Sequence, residues 1–67
     1  MFVKLNQKLI SGGFVTRGAK PLFIKTDSII SITESYLGTL VQTSVDAYYV
    51  LESPKEVMLK VDSVNNA

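Results

Sequence analysis

The chain has 67 residues, 46% of them hydrophobic and 19% charged, with a formal net charge of +1 and no cysteine, histidine or tryptophan. That length supports one small domain, and the composition is that of a globular rather than a disordered chain. The missing residue types exclude disulfide staples, thiolate or imidazole metal sites, and Cys–His or Ser–His nucleophile pairs.

Strand signals run through the first fifty residues. Phe2 to Leu5 alternates, with Val3 and Leu5 on one face and Lys4 and Asn6 on the other. Ser11-Gly12-Gly13 reads as a hairpin turn, because glycine tolerates the positive φ that tight turns need. Phe14-Val15-Thr16 is a short second strand, broken by Arg17-Gly18-Ala19-Lys20-Pro21, and Leu22–Lys25 is a third. Thr26-Asp27-Ser28 offers side-chain oxygens that bend the chain, and the β-branched run Ile29–Glu34 follows as a strand. Tyr36-Leu37-Gly38 turns into Thr39–Thr43, and Ser44–Ala47 leads into Tyr48–Glu52. Runs this short and this closely spaced predict a mainly β fold: an antiparallel meander or SH3-like barrel of five to six strands.

At Ser53 the pattern changes. Ser53-Pro54-Lys55-Glu56 combines an N-cap serine, a proline at the first helical position and a capping-box glutamate. Val57, Val61 and Val64 then recur at helical spacing, with Met58 beside them. The expectation is one domain over residues 1–61 with a short C-terminal helix from about residue 54, and a frayed tail over residues 62–67.

The charge is unevenly spread. Residues 1–26 carry Lys4, Lys8, Arg17, Lys20 and Lys25 and no acid; from Asp27 onward six acids face Lys55 and Lys60. A folded sheet can interleave these charges as a solvated surface, or present a basic face to phosphate, or join copies basic half to acidic half. The start of the chain has no unbroken apolar stretch of signal-peptide kind, and no run approaches a membrane span, so no membrane partner is expected and the cytoplasm is the default location.

Several predicted strands are apolar on both faces. Leu40 and Val41 point opposite ways, as do Val50 and Leu51, and Ile29 and Ile30. One short helix covers one face, so the other closes on itself or meets a second copy, and a homo-oligomer is the expectation. Tyr48 and Tyr49 also face opposite ways; together with Tyr36 and Leu40 they are the candidate interface residues. The candidate ligand site is Gly13, Arg17, Gly18, Lys20 and Lys25, where glycines admit backbone N–H groups to a nucleotide or nucleic-acid phosphate and the basic side chains neutralise it. The spacing of a P-loop or a dinucleotide fingerprint is not met. No calcium loop or paired-carboxylate pattern is present, and no cofactor, metal or catalytic residue is assigned.

From Phe23 onward the chain resembles the FlbD/SwrD family of small flagellar proteins. The matching residues are Phe23–Ile29, Ile32-Thr33-Glu34, Thr39–Thr43, Tyr49–Ser53 and Glu56-Val57, spread over residues 22–61. The family similarly shows a polar turn before an isoleucine strand, a threonine-rich strand and a Val-x-Glu-Ser-x-x-Glu-Val close. Its members usually open with a compact hairpin bearing Leu-Asn-Gly, whereas here Leu5-Asn6 is followed by Gln7 and the segment 12–20 is additional. The resemblance implies a non-enzymatic accessory protein acting through protein contacts near the flagellar motor. The residues alone lead to the same class, a small adaptor or inhibitor that binds an unidentified protein partner and itself. A module binding a nucleotide or nucleic-acid phosphate is the alternative.

Overall fold

Alternation shapes the first strand. In the computed structural model, which describes residues 1–11 and 14–66 (side chains of 1–10 and 18–66), β1 spans Phe2–Ser11 and buries Val3 and Leu5 while exposing Phe2 and Lys4. It pairs antiparallel with β2, Phe14–Lys25, so that Val3 meets Ile24 and Leu5 meets Leu22. The expected break over residues 17–21 does not end this strand. Between Lys8 and Ile10 the register shifts, and Gly18, at φ 99°, lies within the longer arm of that irregularity. The glycine signal is thus realised as a bulge.

Pro21 is tolerated for a different reason. Leu51 N–H donates to the Asn6 carbonyl at 2.8 Å, and Asn6 N–H donates to Glu52 Oε1 at 3.0 Å. Both backbone groups of Asn6 therefore point away from β2, and its cross-strand partner Pro21 has its nitrogen on the free edge, where a missing N–H costs no ladder bond.

A 3₁₀ turn, Thr26–Ser28, supplies the expected bend, and Thr26 N–H donates to the Met1 carbonyl at 2.9 Å. Then come β3 (Ile29–Ser35), β4 (Gly38–Thr43) and β5 (Ala47–Val50). The Thr43 hydroxyl builds the β4–β5 turn, accepting from Asp46 N–H at 3.0 Å and donating to its carbonyl at 2.6 Å. All five strands form one open antiparallel sheet in the order β2-β1-β5-β4-β3, so the meander is observed and the closed barrel is not. β5 ends at Val50, two residues before the expected limit.

Helix α1, Pro54–Asn65, starts on the expected capping box: the Ser53 hydroxyl accepts from Glu56 N–H at 3.2 Å. It continues through Asn65, where a frayed tail was expected, and Thr26 Oγ1 donates to Asn65 Oδ1 at 3.1 Å. Val57 enters a core of Val3, Leu5, Ile24, Val41 and Val50, with Val61 and Val64 packed against it. Alone, a helix of 12 residues is marginal in water; docking on this face is what holds it.

Candidate binding surface

Two-residue periodicity divides the sheet into a covered face and a bare one. The covered face, under α1, carries Val3, Leu5, Leu22, Ile24, Ile32, Val41, Tyr48 and Val50. By register, the other face carries Phe2, Lys4 and Lys8 on β1, opposite Lys25, Phe23 and Ala19 on β2. It continues through Tyr49 and its partner Leu40, then Thr33. No helix covers this side.

The candidate ligand residues do not form one cluster. Gly13 and the side chain of Arg17 lie outside the described residues, and Gly18 has open space around it. Lys20 pairs with Gln7 and shares a face with Leu22 and Ile24, whereas Lys25 pairs with Phe2 on the opposite face. An odd separation along one strand parts the two lysines, which the sequence alone could not show without the register.

The interface candidates divide likewise. Tyr48 packs against the core and Tyr49 stands on the bare face beside Leu40, as opposite parity requires. Tyr36, 95% exposed, lies in the β3–β4 turn, outside the strands that carry the other three. The expectation that apolar side chains leave both faces is met, since Ile30, Leu51, Phe2 and Phe23 remain exposed.

Sequence reasoning missed what the bare face gathers. Phe2 and Phe23 are 62% and 63% exposed, occupy diagonal positions, and each stands directly across from a lysine (Lys25 and Lys4). Lys8 reaches along this side to the β3–β4 turn, donating from Nζ to the Leu37 carbonyl at 3.0 Å. Gly38 makes room for it: a Cβ there would lie 2.7 Å from Lys8 Nζ. Among the described strand side chains of this face there are three lysines and no acid; Glu34 pairs with Thr39 on the covered side, and Asp27 and Asp46 sit in turns. The signal available in the sequence was the acid-free start and the even positions of Phe2, Lys4 and Lys8.

Glu52 was also missed. Placed by the sequence at the end of a strand, it is 5% exposed and clasps three segments. It accepts from Asn6 N–H, from Asn6 Nδ2 at 2.9 Å and from Lys60 Nζ at 3.1 Å. Burial pushes its pKa up, but hydrogen bonds from the Asn6 and Glu52 backbone N–H groups and the Lys60 ammonium outweigh that, and the carboxyl titrates below its ordinary value. With both oxygens engaged, its role is to bind β1 to the start of α1.

Among the described residues there is no pocket, and no three metal-ligating side chains come together. No helix is long and apolar enough to cross a membrane. Comparison with models of known families, with curated proteins and with solved structures gives no match.

Proposed function

We propose that the protein is a non-enzymatic binding protein, of adaptor or inhibitor type, that acts through protein–protein contacts and pairs with a second copy of itself. The observation that carries this reading is the inequality of the two sheet edges. β2 is blunted by the Gly18 bulge, Pro21 and exposed lysines, the devices that keep an edge from recruiting another strand. β3 is irregular only at its start, where the register shifts between Ile29 and Ser31, and it is paired without a break from Ser31 to Ser35. It is β-branched, contains no proline or lysine, and carries Ile30 at 68% exposure.

The register supports which groups it would offer. Leu51 N–H bonds to β1, so the backbone groups of Tyr49 and Leu51 face β1, and those of Tyr48 and Val50 face β4. Their partners Val41 and Thr39 face β5, leaving Leu40 and Gly38 to bond Thr33 and Ser35. The N–H and C=O groups of Ile32 and Glu34 then lie on the free edge. Antiparallel pairing of β3 with β3 of a second copy would satisfy them across a twofold axis. A flagellar accessory role, implied by the family resemblance, and a cytoplasmic setting would both be instances of this class.

Mass by light scattering tests the reading. A dimer is expected, reverting to monomer in Ile30→Lys and in Glu34→Pro, which removes an outward N–H, while the melting temperature of the monomeric state stays within a few degrees. A wild-type monomer at all concentrations, or a dimer indifferent to both substitutions, contradicts it.

A further inference from the structure

We propose that the bare face of the sheet binds single-stranded nucleic acid, with Phe2 and Phe23 stacking on bases and Lys4, Lys8 and Lys25 meeting phosphates. The site is distinct from the β3 edge and is held by β1 and β2.

Cations and rings alternate over its centre. Phe2 is opposite Lys25 and Lys4 is opposite Phe23, so each ring has a cation directly across and the other ring on the diagonal. Diagonal neighbours in an antiparallel pair lie about 7–8 Å apart. That suits two splayed bases of an unpaired strand, whereas duplex bases follow one another at about 3.4 Å with their faces hidden. Rings 62% and 63% exposed have their planes available, and stacking on them needs no particular base.

The electrostatics select the class of ligand. Residues 1–26 contain five basic residues and no acid, and the carboxylate that reaches Asn6 of this face, Glu52, is 5% exposed and paired with Lys60. Lys8 spends one of its three N–H donors on the Leu37 carbonyl, which fixes its stem across the sheet and leaves two for a ligand. A protein partner fits this face less well, because lysine is depleted from the centres of protein interfaces and here lysines are interleaved with the aromatic anchors. A duplex fits less well too, because this open sheet face carries stacking rings rather than an element that enters a groove.

The test is fluorescence anisotropy with a labelled oligothymidylate of about 12 nucleotides, read against salt. Three phosphate contacts predict a slope of log K against log salt near −2, from roughly −0.7 per contact on single strands. Phe23→Ala should weaken binding at least about fivefold and Phe23→Trp restore it. Lys4→Gln with Lys25→Gln should reduce the slope by about 1.4. The Ile30→Lys variant, altered on the other edge, should bind as the wild type does. The proposal is overturned by no binding at low salt, by binding that the Phe23→Ala and double-lysine variants leave unchanged, or by equal affinity for a duplex. If Phe23→Ala dissociates a dimer while no oligonucleotide binds, this face belongs to a protein contact and the proposal likewise falls.

Discussion

The two faces of the sheet are written by alternate residues of the same strands and do different work. On the covered face Val3, Leu5, Ile24, Val41 and Val50 meet Val57 of the helix and lose their contact with water. On the bare face their immediate neighbours Phe2, Lys4, Phe23 and Lys25 keep it. The described residues include one α-helix with which to cover the sheet, so the covered face supplies the folding energy. The other is free to carry chemistry that folding does not need, and where β1 meets β2 it sets aromatic and cationic groups across from one another.

The largest expected effect falls on the covered face. Leu5 is fully buried, and Leu5→Ala should cost about 2–5 kcal/mol in urea unfolding, enough to unfold much of a small domain. A cost under 1 kcal/mol would mean that the covered face is not the core.

Next comes the clasp that fixes the helix start to β1. Glu52→Ala leaves Asn6 N–H without its acceptor and should cost about 1–3 kcal/mol. The lowered pKa of Glu52 gives this a pH signature. Between the ordinary carboxylate value and the lower folded one, the unfolded chain takes up a proton that the folded chain refuses. The contribution is therefore complete at neutral pH and is lost as pH falls through the folded value. The urea midpoint of the wild type should drop more steeply with acidification below about pH 4.3 than that of Glu52→Gln. Parallel curves would show that the carboxylate is not held charged by its partners.

A smaller effect is expected where the bare face is tied to the β3–β4 turn. Gly38 sits at φ 130°, so Gly38→Ala should cost on the order of 1 kcal/mol from backbone strain. The clash with Lys8 Nζ involves the tip of a flexible side chain, so Lys8→Ala in the same background should recover only a minor part. Full recovery would make the lysine, not the backbone, the reason for glycine.

Local chemistry was readable in the sequence. The capping box at Ser53–Glu56, the bend at Thr26–Ser28 and the opposite facing of Tyr48 and Tyr49 depend on neighbours within a few residues, and each is observed. What failed to show was set by pairing. Pro21 looks like a strand breaker until β2 is known to be an edge strand with that nitrogen outward. Glu52 looks solvated because its partner Asn6 is 46 residues away. Lys20 and Lys25 look like one cluster until strand parity parts them, and Phe2 and Phe23 look unrelated until the β1–β2 register sets them on one diagonal. The residues that carry the family resemblance near Ser53 are largely folding residues here: Glu52 clasps, Ser53 and Glu56 cap, and Val57 enters the core. Of the segment 12–20, additional to that pattern, residues 14–20 lie on β2 and extend its pairing with β1.

Adjacent residues on β2 give the most direct measurement of the division between faces. Ile24 is buried on the covered side and Phe23 is 63% exposed on the other, so equilibrium unfolding of Ile24→Ala and Phe23→Ala compares the two at one place in the fold. The account predicts a loss of about 2–5 kcal/mol for Ile24→Ala and less than about 1 kcal/mol for Phe23→Ala. Equal losses would contradict it, because the Phe23 ring would then be part of what folds the molecule.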